Sequence, residues 1–236
     1  MKLPTQCTAW LAAAAALLAV AGTAPAGADE AWQQVGGDAR SGVSGAAYEA
    51  GTATGAEAGV LVVHDNKGSG QRRLSRITQG EGSATATPMT WNGPEPVDLE
   101  AIEAVPGMPG EYLALASRGI VYRLTVAGAT ATVVDHAPLP ALGEGDDFDS
   151  FALVERHGRL AALWADRGAG PERPATLYAA PLTFAPWGQP QFGAVTHRPY
   201  RSIEAVECRP GSADAFLGTD DENTGGYVRA MPLCES

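Results

Sequence analysis

The chain has few of the residues that usually carry a recognisable chemistry. Its 236 residues include three cysteines and four histidines. Cys7, Cys208 and Cys234 form no closely spaced pair, and His64, His136, His157 and His197 are scattered, so neither a redox dithiol nor a paired zinc-ligand spacing is present. Basic residues are outnumbered 16 to 27, for a net charge of −11. Phosphate-backbone and anionic-lipid binding run on Lys and Arg, so nucleic acid and membrane surfaces are not expected partners. There is no Gly-x-Ser-x-Gly elbow and no P-loop. Lys67-Gly68-Ser69-Gly70-Gln71-Arg72 is glycine-rich, but it stands between two apolar runs and reads as a loop. Long helical patterns are missing after residue 28, where glycine (29 in the chain) and proline (17) break short apolar runs throughout.

What is present begins with a leader. Lys2 supplies a positive start, Ala9 to Ala21 is almost unbroken Ala, Leu, Val and Trp, and small residues precede a cut after Ala28. That order predicts a secretory signal peptide over 1–28, with an apolar core too short to span a membrane comfortably. Export places the mature domain, 29–236, in the periplasm or outside the cell. Loss of Lys2 leaves 15 basic against 27 acidic residues in that domain, a charge of −12. Cys208 and Cys234 remain after cleavage, and an even number in an oxidising compartment predicts a disulfide, worth about 3 kcal/mol on the chain-entropy model.

Four segments share one order: an opening with an acid or serine, an apolar strand, a turn, a second apolar strand, a loop and a third strand. The openings are marked by Ser44, Glu100, Asp149 and Glu204, spaced by 56, 49 and 55 residues. The second strands (Val60 to Asp65, Tyr112 to Ser117, Leu160 to Asp166, Ala215 to Asp220) are nearly continuous apolar runs, as strands covered on both faces require. An all-β fold follows, and the period predicts a small β-propeller of four blades. Five or more smaller blades, or a β-sandwich, are the alternatives. Outer strands are expected at 85–91, 130–134 and 191–196. The fourth repeat has none of its own, so Ala31 to Gly36 is expected to pair with it and close the ring, removing an exposed edge.

In a propeller the first strands line the central channel, so Ser44, Glu100, Asp149 and Glu204 are expected to converge. Three carboxylates in one place call for a cation, and oxygen ligands suit Ca²⁺ or Mg²⁺. Otherwise one of them holds a proton. A second set follows the second strands: Asp65-Asn66, Ser117-Arg118, Asp166-Arg167 and Asp220-Asp221. Asp65, Arg118, Asp166, Arg167 and Asp220 are candidates for a polar rim, the arginines suiting an anionic group. Turn chemistry explains the same residues without a ligand. The acidic stretches at 143–149 and 220–223 lack the EF-hand order and read as solvated loops.

Two stretches bear a resemblance. Asp98-Leu99-Glu100-Ala101-Ile102 resembles the Asp-Leu-Glu-Gly-Ile opening of exported phytase-like propellers, the esterase-like relatives of phytase. Asp147-Phe148-Asp149-Ser150-Phe151 is similar to the same opening, and Val43 to Asn66 to the first blade of that group. Ala101 and Ser150 stand where glycine is usual. The resemblance implies a propeller with acidic channel residues and calcium-dependent hydrolysis of phosphoesters or esters. The leading expectation is an exported, monomeric propeller that binds a cation, Ca²⁺ foremost, or a small anionic ligand at its channel mouth. A metal-dependent hydrolase, with Arg118 and Arg167 on the anion, is the second reading. A protein-interaction scaffold is the third.

Overall fold

The computed structural model describes residues 34–49, 59–80, 83–169, 172–199, 205–208, 214–219 and 227–232. These belong to one compact unit, Gln34–Ser236. The predicted leader, Glu204, Asp220 and Cys234 lie outside the described residues, as does the proposed bridge from Cys208 to Cys234.

The described residues are all-β apart from a 3₁₀ turn at Ala39–Ser41. They sort into four sheets, one per repeat, each antiparallel at its heart. Sheet one holds β1 (Gly45–Tyr48), β2 (Val60–Val63), β3 (Leu74–Gly80) and β4 (Ser83–Pro88), in that spatial order. Sheet two holds β5 (Thr90–Asn92), β6 (Leu99–Ala104), β7 (Glu111–Ala116), β8 (Ile120–Ala127) and β9 (Thr130–Pro138), ordered β5-β9-β8-β7-β6. Sheet three holds β10 (Phe148–Arg156), β11 (Arg159–Asp166), β12 (Thr176–Phe184), β13 (Pro190–Phe192) and β14 (Thr196–Pro199). Sheet four holds β15 (Ala205–Cys208), β16 (Asp214–Thr219) and β17 (Tyr227–Pro232). Among the described residues the sheets do not merge into a closed barrel.

The first strands of successive sheets pack side by side, β1 on β6, β6 on β10 and β10 on β15. The second strands show why their apolar runs are continuous. On β7, Tyr112, Ala114 and Ala116 enter the core between sheets one and two, while Leu113 and Leu115 enter the core between sheets two and three. On β11, Ala162 and Trp164 face sheet two, while Leu163 and Ala165 join the cluster that includes Val206 of sheet four. Period-two alternation sends neighbouring side chains to opposite faces, and both faces are dry. Trp164 is fully buried, stacked on Tyr178 with ring centroids 5.6 Å apart.

The outer strands differ from the sequence expectation in three places. The run 85–91 is not one strand: Ser83–Pro88 stays with β3, and Thr90–Asn92 crosses to pair parallel with β9 of sheet two. Met89 is the crossing point, 7% exposed in the core between the two sheets, with its N–H on Leu74 O at 3.0 Å. The run 191–196 is split into β13 and β14, which pair with different parts of β12. Pro181 of β12 has no N–H to give the ladder there, and Gly193 closes against its carbonyl at 2.8 Å. In the third place, Gln34–Gly36 carry no strand, and Ala31, Trp32 and Gln33 lie outside the described residues. Gly36 has φ +139° and turns the chain into the 3₁₀ turn capped by Asp38, whose carboxylate accepts from Arg40 N at 3.1 Å. Among the described residues no helix is long and apolar enough to cross a membrane.

Candidate functional site

The openings of β6 and β10 carry the same local device. Leu99 pairs with Ala116 and Ala101 with Leu115, leaving Glu100 as an extra residue in a bulge. Phe148 pairs with Asp166 and Ser150 with Ala165, leaving Asp149 in the equivalent bulge. A bulge re-aims a side chain that a regular ladder would commit to one face. Both acids are therefore freed from the sheet at its inner end, where β6 packs on β10. On the other side β1 presses close. A Cβ on Gly45 would lie 2.7 Å from Ala101 Cα and 2.9 Å from Glu100 O. Ser44, next in the chain, is half-buried and tied to its own sheet through its N–H on Val63 O at 3.1 Å.

Asp98 completes the centre. It adopts φ +63°, an uncommon conformation for a residue with a side chain. Its backbone bridges two sheets, with its N–H on Asn66 O at 3.3 Å and its carbonyl accepting from Ser117 N at 2.8 Å. Asp98 Oδ2 accepts from Ser117 Oγ at 2.9 Å and pairs with Lys67 Nζ at 3.1 Å. Its other oxygen, Oδ1, is buried without a hydrogen bond from the described side chains or backbone.

Electrostatics follow from this crowding. Burial pushes the Glu100 carboxyl up to about 8, and the charges of Asp98, Asp149 and Asp65, with a hydrogen bond to Asp98, push the same way. At neutral pH Glu100 thus keeps its proton, favoured by a hydrogen bond to the Asp98 carboxyl group. Asp149 is also raised, first by burial and then by Asp147, against the lowering pull of Arg167. Arg167 pairs with Asp149 at 3.3 Å and Asp147 at 3.5 Å. Lys67 is held protonated by Asp98 and feels Glu100 and Asp65 as well. The site is a carboxyl cluster at the inner end of sheets two and three, partly neutralised by Lys67, by Arg167 and by the proton on Glu100.

Of the residues singled out in the sequence, Glu100 and Asp149 come together and the exposed Asp65 lies within their field. Arg167 pairs with Asp149 there, while Asp166 and Arg118 take structural roles. Asp166 is buried, accepting from Asp147 N at 3.0 Å and from Arg173 at 2.6 Å. Arg118 donates to Asp146 O at 2.9 Å. Its neighbour in register, Asn66, ties the β2–β3 loop through Arg40 O at 3.1 Å and Arg72 O at 2.8 Å. Asp146, in the acidic stretch 143–149, is turned inward to Gly143 N and toward Arg173 rather than to a loop-bound cation. His64 is buried and neutral: Nδ1 donates to Gly42 O at 2.6 Å, Nε2 accepts from Ser75 Oγ at 2.8 Å, and burial lowers its pKa.

Asp98 and Lys67 are the residues that sequence reasoning left out of the site. Asp98 stands in the opening motif two places before the register mark Glu100, and Lys67 in a loop read as a connector. An all-oxygen donor set suits Ca²⁺ chemistry. Yet among the described residues no three acidic, histidine or cysteine side chains are arranged to hold a metal as they stand. Cation entry would require Lys67 to swing out and Glu100 to release its proton.

No family model matches the chain, and no curated protein is similar to it. Among solved structures, the chain is similar to one titled glycoside hydrolase, at 11% identity and TM-score 0.47, over 78% of this chain and 45% of that one. It is similar to the structure of U3-55K at 9% identity and TM-score 0.42, over 68% and 44%. It is also similar to a protein from Lactobacillus plantarum at 11% identity and TM-score 0.36, over 80% and 55%. The chain thus spans about half the length of the structures it resembles, and likeness at this level assigns it to no family.

Proposed function

We propose that this protein is an exported propeller-type binding protein that takes a small cation at the inner end of sheets two and three. Asp98, Glu100 and Asp149 form its centre and Asp65 its rim. One observation carries the reading. The cluster sheds part of its negative charge by folding Lys67 over Asp98 and by keeping Glu100 protonated, and both the ammonium and the proton can exchange for a mobile cation. The anionic-ligand reading has less support, because Arg118 and Arg167 are already engaged by Asp146, Asp147 and Asp149. Ca²⁺ is the first cation to test, since every donor is a hard oxygen.

Chelator-treated protein is melted with and without CaCl₂. A ligand that binds only the native state raises stability by about 2.7 kcal/mol at a hundredfold excess over Kd. The expected result is a rise in Tm that grows with calcium, is larger for Lys67→Met and is lost in Asp98→Asn. A melt of the wild type and of Lys67→Met that does not move at millimolar calcium overturns calcium as the ligand. If it is equally unmoved by an organic ammonium salt, cation binding itself is overturned.

A further inference from the structure

The glycine-rich loop between β2 and β3 is built around a buried arginine. Arg73 is only 2% exposed, and its guanidinium donates to Asn66 O and, at 2.6 Å, to Gly68 O. These are the carbonyls of the residues on either side of Lys67. A planar guanidinium presents its donors in a fixed fork, so both carbonyls are held in one geometry. Within the loop, Gly68 N donates to Gln71 Oε1 at 2.6 Å, and the Asn66 side chain ties it to Arg40 O and Arg72 O.

The segment that leads into β6 grips this loop twice. Glu95 accepts from Gly70 N at 2.8 Å and from Ser69 Oγ at 3.1 Å, and it pairs with Arg73 at 3.5 Å. The Gly70 N–H, before its other contacts, holds the Glu95 carboxyl below its ordinary range. Three residues on, Asp98 donates its N–H at 3.3 Å to the same Asn66 carbonyl that Arg73 holds, and its carboxylate takes Lys67 Nζ at 3.1 Å. Trp91 steadies the start of the segment, its indole N–H on Pro94 O at 2.9 Å.

Lys67 is therefore fixed at its root and loose at its tip. Its side chain is 69% exposed, so its ammonium can leave Asp98 for water without disturbing the loop. An exposed ion pair gains little when two free side chains must be ordered to form it. Fixing the root beforehand removes part of that cost. We propose that Arg73 and Glu95 are positioning residues that seat Lys67 on Asp98 as a tethered counter-ion, and that the tether sets how readily a free cation enters the carboxyl cluster. The tether stands on these contacts alone, whereas its control of entry rests on the cation reading above.

The chain has lysine only at Lys2 and Lys67, so the Lys67 amine can be followed by itself, as a labelled peptide mass. Its acylation rate is measured at neutral pH in chelator-treated protein. Asp98→Asn is expected to raise the rate about threefold, the size of effect that goes with an exposed ion pair. Because Arg73 is buried, the positioning test falls on Glu95. Glu95→Ala is expected to raise the rate toward that of Asp98→Asn, and Glu95→Gln, which still accepts from Gly70 N, to fall between Glu95→Ala and wild type. The double variant Glu95→Ala, Asp98→Asn is expected to be no faster than Asp98→Asn alone, because Glu95 acts through the ion pair. A wild-type rate in Glu95→Ala, or full additivity in the double variant, overturns the tether. Calcium melts then read entry. The rise in Tm for Glu95→Ala is expected to lie between those of wild type and Lys67→Met, and a rise equal to that of wild type overturns control of entry. If calcium and an organic ammonium salt move none of the three melts while the acylation rates behave as expected, the cation reading and control of entry fail and the tether stands.

Discussion

Replacing Glu100 by glutamine removes the proton that the acidic end of the sheets must otherwise hold. The Glu100 carboxyl rises from an ordinary 4.5 to about 8 in the native protein. Below pH 4.5 both native and unfolded chains hold the proton, and its contribution to stability is complete. Between pH 4.5 and 8 the unfolded chain releases the proton while the native state keeps it, so stability falls as pH rises. Above pH 8 the loss is complete. At about 1.4 kcal/mol per pH unit, the rise from 4.5 to about 8 sets an upper limit of about 5 kcal/mol. Glu100 is only half-buried, and solvent screening cuts that limit to about 2 kcal/mol. Glutamine keeps the shape and a donor toward Asp98 without the charge. Urea unfolding across the pH range should show Glu100→Gln matching wild type near pH 4.5 and exceeding it by about 2 kcal/mol above pH 8. A smaller slope remains in the variant, because Asp149 is raised in the same direction. Parallel stability curves for the two proteins, or a variant that is weaker at alkaline pH, would refute the crowded-carboxylate account.

Asp98→Asn removes the nearest negative charge and the acceptor of the Glu100 proton, so the pH at which stability falls should move toward the acid side in the same urea series. Gly45→Ala should destabilise by about 1–3 kcal/mol in a thermal or urea melt, because its methyl group would sit 2.7 Å from Ala101 Cα and must force β1 away from β6. A wild-type melt for Gly45→Ala would mean that the two first strands are less tightly packed than described.

Much of the fold was readable because repetition left a periodic trace. The second strands are nearly continuous apolar runs, and that pattern belongs to strands covered on both faces, as Tyr112 to Ala116 show. The acidic register marks Glu100 and Asp149 were readable for the same reason, and both fall at bulges in their first strands. The outer strands were less legible. Their ends depend on events between sheets, such as the anchoring of Met89 under two sheets and the missing donor of Pro181. Asp166, one of the rim candidates, spends its carboxylate on Arg173 and a backbone N–H, which the sequence pattern of a strand end does not reveal.

The sequence by itself determined the all-β class, the order of the first three strands in each repeat and the spacing of the four repeats, because these follow from side-chain periodicity and turn residues along the chain. Only the tertiary structure decided that Asp98 and Lys67 belong with Glu100. Their meeting depends on a loop of sheet one folding over the opening of sheet two, and on a left-handed backbone at Asp98 that no local pattern specifies. It also decided which acid keeps a proton, since that depends on burial and on charges brought from a neighbouring sheet, 49 residues away in the case of Asp149.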